Sequence, residues 1–419
     1  MKNISSLILI YSYLIFAIIF TNLFLLQYYL LTNSYSQLLQ VLFRDSVIYV
    51  IIFAITLLVF FKKMKFLFRF EIILFSIIFI YILIGKYYSG NIAVSLKLLI
   101  SPILFIMFGK YIAYFEHSNK LSLKLLNQLY ILFALILSLF MIFELLIYIF
   151  TQKYALMEIT QSFFYAKGMD NFTILPANYK NSLIDFYRIS SFVFDPVSVS
   201  FFFIYPAVYC FYNKKYIFSM MFIISITISF SLIALYILLV SLFSILLYRR
   251  KLRKALYLIL YIFLGVFFGL MFGWIFFGFH IASFIGHYIS LVVGFSKFYD
   301  TFFGLGIGGS GYGGMFNIVS DELQRNSDSL VAVFLSDFGI FGILFYYYYI
   351  KQFKNSYNSE LYIKYIFPAV VVYLNLILWS LLSSAVFLLN ATSPLLVIIG
   401  YLSYKNKIIK KPSYKEQLK

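Results

Sequence analysis

The run Tyr216–Tyr248 restricts the fold of this chain more than any other stretch, because it contains no charged residue. As one helix it would be about 50 Å long at roughly 1.5 Å per residue, whereas the hydrocarbon core of a bilayer is about 30 Å thick. Both of its ends are basic, with Lys214–Lys215 before it and Arg249–Lys254 after it. Basic flanks favour the same side of a membrane. The run therefore predicts two short helices that turn near Thr227–Ser231.

The composition extends this constraint to the whole chain. Hydrophobic residues make up 63% of the 419 residues and charged residues 11%, with a mean hydropathy of +0.95. Soluble domains are about half apolar and a quarter charged. A bilayer-crossing helix needs about 20 apolar residues, and the chain offers about twelve such runs. We predict an all-α polytopic integral membrane protein, with one transmembrane domain over residues 1–404 and a basic cytoplasmic tail over 405–419.

The predicted spans alternate with short polar segments. They are Leu7–Leu30, Val47–Phe61, Phe70–Ile84, Ile92–Phe108, Leu125–Phe150, Val197–Tyr212, the two halves of Tyr216–Tyr248, Ala255–Phe279, Leu330–Ile350, Tyr365–Leu382 and Ala385–Tyr404. The first has no small-residue cleavage site after it, so we expect a retained span rather than a cleaved signal peptide.

Charge sets the predicted orientation of these spans. With an even number of crossings both termini lie on one side, and that side receives about 24 of the 33 Lys and Arg residues, as cytoplasmic segments do. Two long polar loops, Thr151–Pro196 and His280–Ser329, then share the outer face. The net charge of +18 is explained by orientation, and nucleic acid is not an expected partner.

Metal and cofactor chemistry is not predicted. Cys210 is the only cysteine, so an intrachain disulfide is excluded. His280 and His287 lack Cys, Asp or Glu at ligand spacing, so they do not indicate a metal site. Gly304–Gly309 matches a formal G-x-G-x-x-G, but a dinucleotide site needs a strand before it and a helix after it. Two interpretations of these glycines stay open, a tight turn or a backbone that lets a bulky ligand approach closely.

An arginine and an aspartate end the first outer loop. Arg188 precedes Asp195 and Pro196 at the mouth of a predicted span. A guanidinium group binds phosphate through a bidentate fork, whereas the alternative is a side chain that snorkels to lipid headgroups. Asp195 is equally suited to cap the following helix, with Pro196 at its first position.

The second outer loop ends with a similar pair. Arg325 is a candidate second phosphate contact, and Asp328 is a carboxylate that could orient or deprotonate a hydroxyl. The alternative for Asp328 is an N-cap. Further on, Asp337 precedes Phe338–Gly342, whose two glycines predict close helix packing. Glu71 and Lys97 lie near span ends, where we expect them to snorkel.

Two regions resemble the O-antigen polymerase (Wzy-type) family, within the O-antigen polymerase and ligase superfamily. Arg188–Pro196 is similar to the family pattern R-x-S-G-x-F-x-D/N-P before a span. Phe303–Gly309, Ser327–Leu330 and Asp337–Gly342 resemble its F-G-x-G, its Asp or His followed by a short polar residue, and its G-I-x-G. Ser191 departs from the pattern, which often has Gly there, and so does Phe230, where the family often has a basic residue.

The resemblance implies a GT-C-like membrane glycosyltransferase in a bacterial inner membrane. Undecaprenyl diphosphate-linked oligosaccharides would be donor and acceptor, and the lipid diphosphate would be the leaving group. Membrane lipids and a chain-length regulator protein are further implied partners. Arg188 and Arg325 would hold the diphosphate, and Asp328, then Asp195, would orient or deprotonate the acceptor hydroxyl.

The remaining candidates form a predicted substrate loop. Its residues are Gly304, Gly306, Gly309, Tyr299 and Tyr312, and the two tyrosines are candidates for stacking on sugars.

Two other functions compete with a polymerase. A lipid-linked oligosaccharide flippase should carry charges at the bilayer midplane and have related halves, whereas polarity here is concentrated in two loops on one face. An O-antigen ligase is the other alternative, but ligases of the superfamily tend to have His where Asp328 stands. Both comparisons favour the polymerase.

Overall fold

The computed structural model describes residues 7–17, 69–85, 92–116, 121–151, 180–181, 186–187, 189, 196–229, 231–248, 251–277, 282–307, 329–357, 363–383 and 389–409. These segments are almost entirely α-helical, apart from an antiparallel pair of two-residue strands, β1 (Lys180–Asn181) and β2 (Phe186–Tyr187). A helix satisfies its backbone polar groups internally, which an apolar environment requires. The all-α prediction is confirmed for this part of the chain.

The described helices are numbered here in chain order. They are α1 (Leu7–Ala17), α2 (Arg69–Gly85), α3 (Ile92–Phe115), α4 (Leu121–Thr151), α5 (Pro196–Tyr212), α6 (Tyr216–Ile228), α7 (Leu232–Tyr248), α8 (Leu252–Phe277), α9 (Ala282–Asp300), α10 (Leu330–Phe338), α11 (Gly342–Tyr357), α12 (Ile363–Trp379) and α13 (Leu389–Ile409).

The apolar character of these helices fits a membrane protein. By length and composition, three stretches could cross a membrane: Ser122–Thr151, Leu252–Phe272 and Leu330–Tyr357. Several other helices are apolar but shorter. The predicted turn within Tyr216–Tyr248 is confirmed, since α6 ends at Ile228 and α7 begins at Leu232. The number of twelve spans and their sidedness stay predictions.

Two packed helix pairs show antiparallel directions. Phe222 in the middle of α6 stacks on Phe203 of α5, with ring centroids 5.9 Å apart. Near the end of α6, the Ser229 hydroxyl pairs with the hydroxyl of Ser200 near the start of α5. The two helices are therefore antiparallel. The same holds for α2 and α11, because Phe70 stacks on Tyr348 while the later Tyr81 lies beside Phe341.

Basic side chains gather at one end of this bundle, which we call the basic end. Three contacts define it: Arg253 Nε donates to the Tyr357 hydroxyl (2.9 Å), Lys351 Nζ lies 4.5 Å from the ring centroid of Phe70, and Lys405 Nζ donates to the Glu116 carbonyl oxygen. The opposite end, the far end, carries Gly85, Ile228, Trp379 and Gly342.

The tightest helix pair of the core is α3 with α13. A Cβ atom on Gly109 would lie 1.9 Å from the Val397 carbonyl oxygen, and a Cβ on Gly400 would lie 2.0 Å from the Ile106 carbonyl oxygen. Small residues let helix backbones approach in this way. Any larger side chain at either position would force the two helices apart.

Helix α10 does not continue into α11 but lies against it. The rings of Phe334 and Tyr349 stack with centroids 6.2 Å apart, whereas one straight helix would separate these residues by about 22 Å. A 3₁₀ turn, Gly339–Phe341, joins the two helices, and Gly339 has a φ of 56°. The expected span Leu330–Ile350 is therefore not one continuous helix, although its length and composition would allow it to cross a membrane.

A second correction concerns the start of the predicted loop His280–Ser329. Its first part forms α9 (Ala282–Asp300), which packs closely on α10. A Cβ on Gly294 would lie 2.2 Å from the Ala332 Cβ. The glycine, histidine and lysine residues in this stretch lower its hydropathy, so the apolar pattern alone did not predict a helix.

Candidate functional site

Most of the predicted chemistry lies outside the described residues. This applies to Arg188, Asp195, Gly309, Tyr312, Arg325 and Asp328, whose proposed roles stay predictions. Gly304, Gly306 and Tyr299 are described, and so are the residues that adjoin the other candidates.

The stretch Thr301–Ile307, which we call the glycine segment, docks on the junction between α10 and α11. The Leu305 N–H donates to the Ser336 carbonyl oxygen (2.9 Å), and the Gly306 N–H donates to the Asp337 carbonyl oxygen (3.0 Å). From the junction, the Ile340 N–H donates to the Phe302 carbonyl oxygen (3.0 Å). Backbone hydrogen bonds thus fix the segment to the end of α10.

Glycine is required on both sides of this contact. Gly304 has a φ of 84° and Gly339 a φ of 56°, a region that other residues rarely adopt. A Cβ on Gly304 would lie 2.5 Å from the Gly339 nitrogen, and a Cβ on Gly339 would lie 2.2 Å from the Phe302 carbonyl oxygen. The room beside Gly304 is thus occupied by the chain itself.

The two glycines after Asp337 differ in part from their predicted use. They allow close backbone approach, as predicted. However, Gly339 faces the glycine segment and not another helix. A Cβ on Gly342 would lie 2.3 Å from the carbonyl oxygen of Phe334 in α10. Together they permit the sharp change of direction that lays α10 against α11.

Tyr81 of α2 holds the glycine segment from two sides. Its hydroxyl donates to the Phe303 carbonyl oxygen, and its own carbonyl oxygen accepts the Ile307 N–H at 3.1 Å. Its ring lies 5.1 Å from the ring of Phe338 and 6.3 Å from that of Phe341, centroid to centroid. Sequence reasoning missed this residue, because nothing distinguishes it among 39 tyrosines.

Asp337 is a fully buried carboxylate at the C-terminal end of α10. Removing a carboxylate from water is costly unless it is hydrogen-bonded or neutral. The negative end of a helix dipole disfavours an anion further. A buried acidic residue in a membrane protein is a functional candidate. The sequence analysis named Asp337 only as the residue before Phe338–Gly342. Its acidic side chain within an apolar run was the signal that could have identified it as a functional candidate.

Ile189, within the predicted loop Thr151–Pro196, is anchored at the far end of the bundle. The Ile189 N–H donates to the Ile228 carbonyl oxygen (3.2 Å) at the turn between α6 and α7, and Ile189 is only 1% exposed. Ser229 and Ser200 pair their hydroxyls beside this turn. The residue that follows Arg188 is therefore held where α5, α6 and α7 meet.

The residue before α10 resolves one alternative. Ser329 is the N-cap of this helix, and its hydroxyl accepts the Ala332 N–H at 3.2 Å. The N-cap interpretation of Asp328 is therefore wrong, since its neighbour fills that position. The Leu330 N–H donates to the Ser380 carbonyl oxygen (3.0 Å), which ties the start of α10 to the end of α12.

Tyr299 lies two residues before the glycine segment. It lies in the last turn of α9 and is 89% exposed. Its predicted role as a stacking platform for sugars stays a prediction. An exposed aromatic ring at the end of a helix is sterically able to take that role.

The basic end carries a separate polar cluster. Lys110 Nζ lies 2.5 Å from Glu71 Oε1, and the Tyr348 hydroxyl donates to the same oxygen at 3.1 Å. Both charged residues are buried. The prediction that Glu71 snorkels to water is wrong, because α3 continues to Phe115 and carries Lys110 to it inside the bundle. The Lys97 side chain lies outside the described residues.

The described residues offer no group of three His, Cys, Asp or Glu side chains that could hold a metal ion. Comparisons with protein-family models, with curated proteins and with solved structures found no match for this chain. Support for a function therefore comes from the sequence patterns and from the geometry of the two loop anchors.

Proposed function

We propose that the protein is a surface polysaccharide polymerase of a bacterial inner membrane. It joins undecaprenyl diphosphate-linked repeat units at the periplasmic face. A hydroxyl oxygen of the incoming unit forms a bond to the anomeric carbon of the growing glycan. The bond from that carbon to the diphosphate oxygen breaks, the lipid diphosphate leaves as an anion, and the hydroxyl proton passes to a carboxylate.

One observation carries this proposal: the anchors of both outer loops belong to the same end of the bundle. Ile189 is bonded at the turn after Ile228, and the glycine segment is bonded to Tyr81 near Gly85. Both anchors are opposite the basic end. Loops that start from one face are able to close over one substrate, as a two-substrate transfer reaction requires.

The predicted residues suit the charges that develop in this reaction. Arg188 and Arg325 supply fixed guanidinium forks for the diphosphate, whose negative charge grows as it leaves. Asp328 orients the acceptor hydroxyl and takes its proton, and Asp195 is the second choice for this role. The N-cap at Ser329 supports the choice of Asp328 over Asp195, because Asp328 is not needed as the cap of α10.

The test is the chain length of the surface glycan in cells that carry single substitutions. We expect Arg188→Ala and Arg325→Ala to leave single repeat units on the lipid A core. Arg253→Ala, an exposed arginine at the basic end, is the matched control and should leave long chains. Immunoblots of membrane fractions check that all three variants insert equally. Long chains in both outer-loop variants would contradict the assignment.

A lipid-linked oligosaccharide flippase is the second candidate, and the junction of α10 and α11 favours it. Interrupted helices with buried polar groups are typical of transporter binding sites, and Asp337 is buried at such an interruption. Deletion of the gene separates the two functions. Cells that keep one repeat unit on the lipid A core have lost a polymerase, whereas cells that lose all glycan on that core have lost a flippase or a ligase.

A further inference from the structure

We infer that α9 lies along the boundary of the bilayer and presents a stripe of apolar side chains to the lipid chains of the leaflet at the far end. This apolar stripe consists of Tyr288, Val292, Phe295 and Tyr299. The contact with lipid is independent of the proposed reaction.

Three contacts place α9 across the bundle. Near its start, the ring of Tyr288 lies 6.5 Å from that of Phe267 in α8, centroid to centroid. In its middle, Gly294 packs on Ala332 in the first turn of α10. Its last turn continues into the glycine segment, which is bonded to Tyr81 of α2. The helix therefore reaches from α8 to α2.

All three contacts belong to the far end. Phe267 is one turn beyond Phe263, whose ring packs against that of Trp379 at the end of α12. The start of α10 is bonded to the residue that follows α12, and Tyr81 is one turn before the end of α2. With 19 residues, α9 is about 28 Å long at roughly 1.5 Å per residue. A crossing helix of that length would connect both ends of the bundle, whereas α9 lies across one of them.

The side of α9 that faces away from the bundle is apolar. Val292, Phe295 and Tyr299 follow one another at intervals of three and four residues, which is the spacing of a single helix face. Their side chains are between 50% and 89% exposed. At about 100° per residue, Val292 and Tyr299 lie roughly opposite Gly294, the residue that packs on α10. An exposed apolar surface of this kind marks a contact with a membrane or another molecule.

The apolar stripe connects the outer surfaces of two helices, and this identifies lipid as its partner. At its start it meets α8, which is long and apolar enough to cross a membrane and exposes Phe268 and Phe272. At its end it is followed by the exposed Phe302 and Phe303, beside α2, which exposes Leu83. A surface that continues the outside of a membrane-crossing helix meets the same hydrocarbon chains.

This arrangement is that of an interfacial helix. Such a helix lies flat and buries its apolar side at the boundary between headgroups and acyl chains. Tyrosine rings are enriched at this depth. Tyr299 therefore belongs to the lipid contact, in place of the sugar contact expected from the sequence.

Spin labels on single cysteines test the position of α9. Cys210→Ala removes the only cysteine, and Val292→Cys or Tyr299→Cys then introduces one for a nitroxide label. The matched reference pair is Leu232→Cys and Leu239→Cys in α7, which are similarly exposed and also seven residues apart. In liposomes, the depth of each label follows from its collision rates with oxygen, which concentrates in lipid, and with a water-soluble nickel chelate.

We expect both α9 labels to collide more often with oxygen than with the chelate and to lie at nearly equal depths. The α7 pair should differ in depth by about 10 Å, as seven residues of a crossing helix do. Phe295→Cys replaces either α9 variant if its unfolding temperature falls below that of the Cys210→Ala protein.

Three results would overturn the inference. A depth difference between the α9 labels as large as that of the α7 pair would show that α9 crosses the bilayer. More frequent collisions with the chelate than with oxygen would place the apolar stripe in water. Few collisions with either reagent would mean that protein covers it.

Discussion

Gly304 and Gly339 meet backbone to backbone, so closely that a Cβ on Gly304 would lie 2.5 Å from the Gly339 nitrogen. This contact joins the glycine segment to the junction between α10 and α11. Gly304 and the glycines after Asp337 are far apart in sequence, but they act on the same junction. The glycines shape the chain, whereas the proposed chemistry is that of Arg325 and Asp328.

Gly339→Ala should destabilise the protein strongly. The substitution combines an unfavourable φ with a clash against the Phe302 carbonyl oxygen, so we expect a loss of about 2 to 4 kcal/mol. Thermal unfolding in detergent measures the change. Gly265→Ala in α8 is the control, because a Cβ there meets nothing within 4 Å, and it should be neutral or stabilising. Equal unfolding temperatures for the two variants would count against the described junction.

Gly109→Ala should loosen the α3–α13 pair. A Cβ there would lie 1.9 Å from a backbone carbonyl oxygen that cannot move without its helix, so the expected cost is about 1 to 3 kcal/mol. Gly269→Ala in α8, where a Cβ has open space, is the matched control. Retention of folded protein after mild heating separates the two variants. A Gly109→Ala protein as resistant as the control would contradict the close packing.

Lys110→Met should be more damaging than the loss of both charges. It leaves the Glu71 carboxylate buried beside Tyr348 without its cation, which typically costs about 3 to 5 kcal/mol. Glu71→Gln combined with Lys110→Met removes the uncompensated charge and should recover most of that loss. A double-mutant cycle on unfolding free energies measures the coupling. Lys254→Met, at an exposed position, is the control; additive effects of Glu71→Gln and Lys110→Met would rule out the ion pair.

Ser200→Ala should weaken the anchor of the first outer loop. It removes the hydrogen bond between the Ser200 and Ser229 hydroxyls beside the turn that holds Ile189, while Ser229 keeps its bond to the Ile226 carbonyl oxygen; the expected cost is about 1 kcal/mol. We expect shorter surface glycan chains, because a shift of Ile189 also shifts the adjacent Arg188. Thr227→Val is the control, since that exposed hydroxyl bonds only within its own helix, to Ile223. The anchor would be refuted by chain lengths that are the same in both variants.

The sequence predicts the parts of this fold that depend on hydrophobicity and charge. The turn between α6 and α7 follows from a run too long for one crossing with basic residues at both ends. The packing of α10 against α11 does not follow from such patterns. Leu330–Ile350 is apolar apart from Ser336 and Asp337, and the change of direction depends on the backbone conformation of Gly339 and the close approach at Gly342. The contact partners of charged residues cannot be predicted from these patterns either. In the sequence, Glu71 and Lys110 each look like a charge near a span end, and only the fold brings them together.

The candidate site shows the same division. Motif reasoning selects residues with distinctive chemistry, such as Arg188, Arg325 and Asp328. Tyr81 acts through a hydroxyl and a backbone carbonyl, and its residue type is common in this chain, so only the structure singles it out. Asp328 illustrates how the two sources combine, since the cap at Ser329 removes a structural explanation that the sequence left open.

The most direct test of the proposed function is the release of undecaprenyl diphosphate by the purified protein. Liposomes containing the protein receive undecaprenyl diphosphate-linked repeat units, and released lipid diphosphate and glycan length are measured together. We expect one lipid diphosphate for each glycosidic bond formed with the wild-type protein, and neither product with Arg188→Ala or Arg325→Ala. Movement of intact lipid-linked units across the bilayer without release of lipid diphosphate would contradict the polymerase and identify a transporter.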